Sequence, residues 1–382
     1  MTGLEPPTAV REPVLSVVAC DTYDLDVVRS VVGAAVASVG GMRRYVRPGM
    51  RVLLKPNLLR AAEWDRGITT HPAIIQAVAE LVQEARGTVW IGDSPGGAVE
   101  GHPQVMQKSG VVAAAEAVGA RVVPFDKVVW KRVRGGDYFV APPAIEADLV
   151  IDLPKLKTHV QTLYTGAVKN LFGVISGTRK RELHLRAPGV KEFSQVLVDV
   201  LELVRPGLTI LDGVLGLQGN GPGMGGTPWA YNCIAASTDP VALDAVFARA
   251  MGYRAGEVIH LDQAGRRGLG VSDPELVRIV GDHGALWFGK LILPRARWYF
   301  RTPAWVGPYL RRLARVRPEL DASACVGCGQ CAQVCPKEVI APGRPPSFDL
   351  KNCIGCLCCA EICPQGAISP RRNLVAQLVE AL

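Results

Sequence analysis

From residue 14 to about residue 284 the chain alternates short apolar runs with stretches whose apolar positions recur at helical spacing. Leu15–Ala19 reads as a strand, followed by a helix from about Asp24 to Val39. Arg51–Leu54 is the next strand. Thr70 then stands as an N-cap with Pro72 near the first helical position, and the helix runs to about Arg86. Val89–Ile91 is a strand, then a Gly/Pro turn and a helix near Val105–Val118. Arg121–Val123, Leu149–Leu153, Leu208–Leu211, Asn232–Ala236 and Val277–Val280 continue the strands. Helices fall at about Val160–Val174, Phe193–Val204 and Val241–Met251. This βαβα order predicts a large α/β sheet domain with helices on both faces.

In such sheets ligands bind where strands end and loops begin. Four loops of unusual chemistry fall at such points: Lys55-Pro-Asn57, Asp93-Ser-Pro-Gly-Gly97, Pro154-Lys-Leu-Lys-Thr-His159 and Gly219-Asn-Gly-Pro-Gly-Met-Gly-Gly226. Extended backbone puts alternate residues on one face, so Lys155, Lys157 and His159 should project together. Two ammonium groups and an imidazole suit an anionic substrate, with Lys157 and His159 as catalytic candidates and His159 as proton donor. Solvated lysines at a strand end are the competing reading. Gly219–Gly226 carries Asn220 but has neither a Walker lysine nor a dinucleotide glycine spacing, so it reads as a lid, a substrate contact or a plain mobile loop. Arg179-Lys-Arg181 reads as a solvated loop or an anion contact, His71 and His184 as structural or solvated, Asp239 as an N-cap.

Beyond residue 320 the pattern changes. Of the chain's 11 cysteines, all but Cys20 and Cys233 lie between Cys325 and Cys363. They form Cys325-Val-Gly-Cys328-Gly-Gln-Cys331-Ala-Gln-Val-Cys335-Pro and Cys353-Ile-Gly-Cys356-Leu-Cys-Cys359-Ala-Glu-Ile-Cys363-Pro. Both match the spacing of bacterial ferredoxins with two [4Fe-4S] clusters, in which the fourth cysteine of each run ligates the other cluster. The expected sets are Cys325, Cys328, Cys331 and Cys363 for the first cluster, and Cys353, Cys356, Cys359 and Cys335 for the second. Cys358 lies opposite Gln330 when the runs are aligned, so it is expected to pack near a cluster without binding it. Zinc knuckles group cysteines in separated pairs and fit this crowding poorly. No flavin or nicotinamide fingerprint is visible.

Charge adds one feature. The formal net charge is +8, and Ala285–Leu320 supplies most of it, with seven Arg and one Lys against Glu319. Seven aromatic residues interleave with those arginines. The segment reads as a strap joining two domains. A surface that docks an electron-donor protein, or an anionic membrane, is the less favoured alternative. The near-neutral remainder argues against nucleic acid as a partner. No stretch is long and apolar enough to span a membrane and the N-terminus does not resemble a signal peptide, so a cytoplasmic location is expected. The domain boundaries read as 1–284, a linker 285–320, a small α+β ferredoxin-like domain 321–370, and a helical tail 371–382.

Six stretches of the large domain occur together in a known family: Leu54-Lys-Pro-Asn57, Gly67-Ile-Thr-Thr-His-Pro72, Gly92-Asp-Ser-Pro-Gly-Gly97, Leu153-Pro-Lys-Leu-Lys-Thr-His159, Ala167-Val-Lys-Asn-Leu-Phe-Gly173 and Asp239-Pro-Val-Ala-Leu-Asp244. In these, residues 14–255 resemble the domain of unknown function 362 family of iron–sulfur-centre proteins, which often carry an appended ferredoxin module. The resemblance implies a large α/β domain. It strengthens Lys155, Lys157, His159, Lys169 and Asn170 as site residues beside Lys55, Asn57, Asp93 and Asn220. It supplies no substrate. An iron–sulfur oxidoreductase acting on a small anion is the expected function, with a non-enzymatic electron carrier or assembly factor as the alternative.

Overall fold

The computed structural model describes residues 12–97, 101–134, 136–177, 179–294, 297 and 317–371. Most of the basic segment and the expected C-terminal helix therefore lie outside the described residues. The body is built on one ten-stranded mixed sheet. Its path runs Arg278–Gly281, Val14–Ala19, Gly226–Ser237, Leu208–Gly219, Leu149–Leu153, Arg51–Pro56, Thr88–Ile91 and Arg121–Val122. The strands from Leu208–Gly219 to Arg121–Val122 are parallel, whereas Leu208–Gly219 and Gly226–Ser237 form a long antiparallel hairpin.

Strand alternation sends neighbouring side chains to opposite faces. Val52, Leu54, Ile151 and Leu153 pack against Val28, Val32, Ile74 and Val78 of the helices Leu25–Ser38 and Pro72–Glu84. Leu53 and Leu211 face the other way, into a core with Phe193, Leu197 and Phe247 from Val190–Val204 and Pro240–Ala250. The two-faced α/β architecture expected from the pattern is therefore present. Among the described residues, no helix is long and apolar enough to cross a membrane.

Several local expectations change. His71, not Thr70, caps the Pro72 helix: its side chain accepts from Ala73 N. The Thr70 hydroxyl instead accepts from Asn57 N and donates to Leu153 O, tying two strand ends together. The helix expected near Val105–Val118 is broken into His102–Lys108 and Val111–Ala117 around Gly110, whose φ is 75°. Residues expected as one helix from Val160 form the strand Leu163–Thr165, the helix Ala167–Asn170 and a 3₁₀ turn Leu171–Val174. Arg179–Arg186 is a helix rather than a loop.

The C-terminal module starts at Arg317, four residues before the expected boundary, because Arg317–Leu320 pairs antiparallel with Ile368–Arg371. Two five-residue helices, Gln330–Val334 and Cys358–Ile362, lie inside it. The described start of the linker is a strap along the body. Phe288 is buried against Tyr231 and Phe247, and Gly219 N donates to Ile292 O. Arg297 is likewise used internally, paired with Glu257 at 2.8 Å.

Candidate functional site

The loops at the sheet's crest converge on the module. Gly96 and Gly97 face the Ile362 side chain. The hairpin tip at Gly219–Gly226 packs on the same helix: a Cβ on Gly223 would lie 2.7 Å from Glu361 O, so the close approach needs glycine there. The tip is thus part of the contact between the domains rather than a lid. Two arginines bind the module's backbone. Arg60 donates to Cys363 O, and Arg181 donates to Cys335 O at 2.8 Å while pairing with Glu338 at 3.1 Å. The two acceptors are equivalent, the last cysteine of each run.

Between body and module lies a cavity of about 160 Å³. The body contributes Asn57, Asp93, Lys157, His159, Lys169, Asn170, Lys180 and His184 to its wall, with Phe172 and Phe193. The module contributes Gln333, Val334, Cys358, Glu361 and Ile362. Of the site residues expected from sequence, Lys157, His159, Asn57, Asp93, Lys169 and Asn170 meet here. Lys55, Lys155 and Asn220 do not line it, although Pro222 does.

Lys155 departs because the Lys155–His159 segment is not a solvated strand end. It is a fully buried strand, pairing with Leu208–Gly219 and with Leu163–Thr165. Lys155 Nζ is held at 2.7 Å by Asp212 and at 2.6 Å by the Tyr23 hydroxyl. A buried ammonium requires such a partner, so Lys155 is structural. Lys55 sits beneath the site, 2.7 Å from Asp93 Oδ1, and donates to Asn170 Oδ1 at 3.2 Å. A Cβ on Gly173 would fall 2.0 Å from that Asp93 oxygen, which accounts for the glycine at the end of the Ala167–Gly173 motif.

The network then reaches the cavity. Lys157 Nζ donates to Asn57 Oδ1 at 2.6 Å and to Ile68 O at 2.8 Å, while Asn57 Nδ2 donates to Asn170 Oδ1 at 2.8 Å. Burial, with Lys169 and Lys155 nearby, holds the Lys157 ammonium well below the ordinary lysine range. Burial also lowers Lys169, and brings Lys180 down to about 8. Lys180 donates to Ser94 O and Pro95 O. Lys169 makes no hydrogen bond or ion pair within 4 Å among the described residues.

His159 is not the near-neutral imidazole expected. Its Nδ1 accepts from the backbone N–H of Gln161 and Thr162 at 3.0 and 3.2 Å, which places the ring proton on Nε2. Burial, then Lys169, pushes its pKa down to about 4. Nε2 stands 3.2 Å from Glu361 Oε1, poorly aligned for a hydrogen bond. Glu361 is a carboxylate: burial opposes its charge, but His159 and Lys169 outweigh it and hold it at about 2.

Sequence reasoning passed over Glu361, since it lies inside a cysteine run and belongs to another domain. It also passed over Asp244, although the residue ends a quoted motif. Asp244 accepts from Ala167 N and Val168 N, each at 2.8 Å, and so fixes the short helix that carries Lys169 and Asn170. Lys180 and His184, which read from sequence as solvated or structural residues, both line the cavity.

In the module, Cys325, Cys328, Cys331 and Cys363 line one small hollow, and Cys335, Cys353, Cys356 and Cys359 line another. Cys358 lines neither. Its side chain borders the larger cavity, next to the Cys356 thiol. Among the described residues, no three His, Cys, Asp or Glu side chains gather as a single metal ion would require. Thiols spread around a hollow suit a cubane cluster better than zinc.

A family model described as domain of unknown function (DUF362) matches residues 52–249, slightly over half of the chain. The chain belongs to the DUF362 family. In this DUF362 protein a second model, a 4Fe-4S dicluster domain, matches residues 317–364, so the C-terminal module is an iron–sulfur domain with the capacity for electron transfer. The thylakoid-associated protein sll1697 of Synechocystis sp. is 40% identical in a 220-residue alignment that covers 54% of this chain and 65% of that protein. The chain thus matches less than two thirds of that relative's length. The lactate racemase apoprotein from Thermoanaerobacterium thermosaccharolyticum overlaps 76% of this chain and 89% of its own, with 11% identity and a TM-score of 0.35.

Proposed function

We propose that this DUF362 protein is an iron–sulfur oxidoreductase that passes electrons between two [4Fe-4S] clusters and a small anionic substrate held in the cavity between its domains. One observation carries the reading: a single cavity has lysines on one side and the cluster module's second helix on the other. Cys325, Cys328, Cys331 and Cys363 would hold one cluster, and Cys353, Cys356, Cys359 and Cys335 the other. When bound, the clusters supply single electrons. The Lys169 ammonium attracts the anion. A neutral His159 donates a hydrogen bond from Nε2 but has no imidazolium proton to release near pH 7. Proton delivery therefore falls to Lys157, whose burial makes its ammonium a stronger acid than an exposed lysine. Asn57 and Asn170 orient that ammonium. An electron-donor protein and a cytoplasmic setting complete the proposal.

The test uses anaerobic, chemically reduced protein mixed with a panel of small carboxylates and phosphates, with cluster reoxidation followed by visible absorbance. At least one compound should accelerate reoxidation, and Lys157→Met should slow it by something like 10²–10⁴-fold without altering the spectrum. Cys358→Ser should keep both clusters, whereas Cys359→Ser should damage the second. If only a protein acceptor reoxidises the clusters, the chain is a carrier and the oxidoreductase reading fails.

A further inference from the structure

The cavity holds polar groups that the protein leaves unmatched. Gln161 is 8% exposed and Thr165 3% exposed, both line the cavity, and neither Gln161 Oε1 nor Thr165 Oγ1 has a hydrogen-bond partner among the described residues. Other buried polar atoms, those of His260 among them, also go unpaired, but these two belong to residues that line a cavity with room for a ligand. Their placement is enforced. Gln161 sits in the turn between the Lys155–His159 and Leu163–Thr165 strands, and His159 Nδ1 fixes that turn by accepting two successive backbone N–H groups. Lys169 adds an ammonium with no hydrogen-bond partner among the described residues, and His159 Nε2 and His184 Nδ1 are unpartnered on residues of the same wall, whereas Lys157 and Lys180 each donate two of three N–H groups to carbonyl oxygens.

Each group constrains the ligand differently. Lys157, Lys169 and Lys180 outnumber the Glu361 carboxylate on the wall, Asp93 being paired with Lys55, so the cavity favours a negative charge on the ligand. A hydroxyl serves as donor or acceptor, but an amide oxygen only accepts, so Gln161 Oε1 needs an O–H or N–H on the ligand. A phosphate monoester dianion has no such donor, and inorganic phosphate, which keeps an O–H near neutral pH, has no apolar body. Phe172, Phe193 and Ile362 leave the remaining wall apolar. The volume, about 160 Å³, is close to that of an apolar cavity that takes benzene.

We infer that the cavity binds a small monocarboxylate with an apolar, ring-sized body and a hydroxyl: Lys169 takes the carboxylate, and Gln161 and Thr165 read the hydroxyl. The inference rests on the proposed reading of this cavity as the substrate site. It names residues, Gln161 and Thr165, that electron transfer alone does not require.

The experiment measures binding to full-length protein with its clusters loaded and oxidised and no reductant present. The probes are 3- and 4-hydroxybenzoate, benzoate, 4-hydroxybenzamide and inorganic phosphate, followed by thermal shift and calorimetry. A hydroxybenzoate should bind more tightly than benzoate, and the acid more tightly than the amide, each on the order of tenfold, the effect of one buried hydrogen bond. Gln161→Leu should erase the hydroxyl preference and leave benzoate binding unchanged. Lys169→Met should erase the preference for acid over amide. Thr165→Val serves as the second variant should Gln161→Leu lose cluster absorbance. Phosphate binding more tightly than every carboxylate, no saturable binding at all, or an intact hydroxyl preference in both variants would overturn the inference. If small anions still reoxidise the reduced protein in that event, the proposed function survives and only the substrate class falls. If neither occurs, both fall together.

Discussion

At the scale of single residues, burial holds four interior histidines neutral. Burial depresses His71, His159 and His184 to about 4 and His260 to about 3. The unfolded chain protonates these rings near pH 6.5, so between there and about pH 4 it binds more protons than the folded one. Their contribution is fully present above pH 6.5 and is lost as the pH falls toward the folded values, at about 1.4 kcal/mol per unit for each ring. Asp244, raised by burial to about 7, opposes this between pH 4 and 7 because its folded form holds a proton more tightly. His260 isolates the effect, being wholly buried with both ring nitrogens unpartnered among the described residues. His260→Leu should flatten the fall in Tm between pH 6.5 and 4.5 by one proton's worth. An unchanged slope in calorimetric melts would contradict that.

At the scale of elements, the helix Cys358–Ile362 acts as the keystone between domains, and Gly223 is where it is seated. Gly223→Val should push the Glu361 backbone outward, since backbone cannot yield as a side-chain tip can. Faster limited proteolysis between the domains, with both clusters retained, is the expected result. Equal proteolysis of variant and parent would show that the tip tolerates the bulk. The same elements show what the sequence can reveal. Strands such as Leu149–Leu153 are legible because a buried parallel strand is a nearly continuous apolar run, interrupted here by Asp152 alone. Lys155–His159 is not, because Lys155 is paired with Asp212 and Lys157 donates to Asn57 and a backbone carbonyl far away in the chain, and no local pattern announces such partners. Period-two spacing did place Lys157 and His159 at one cavity. It failed for Lys155, whose aspartate and tyrosine come from other strands and loops. Gln161 and Thr165 had no sequence signal at all, since what marks them is a missing partner.

For the whole molecule, the arginine pair links the body electrostatically to the module. Arg60 is 6% exposed, and the thiols nearest in charge to it, Cys363 and Cys328, line the same hollow. A buried cation beside a cluster favours the more negative, reduced state. Arg60→Gln should lower the potential of that cluster by about 60 mV, tenfold in a one-electron equilibrium, and leave its neighbour in place. Redox titration followed by electron paramagnetic resonance checks this, and equal shifts in both clusters would count against a local effect. The module's second helix also has a bearing on inheritance. Free ferredoxins are interchangeable parts, one carrier serving many enzymes. Here the same helix that carries thiols on one side closes the chamber with Glu361 and Ile362 on the other, so the conductor is also masonry. Exchanging it for another carrier would open the chamber as well as rewire it. The two domains of this chain would therefore have to change in step.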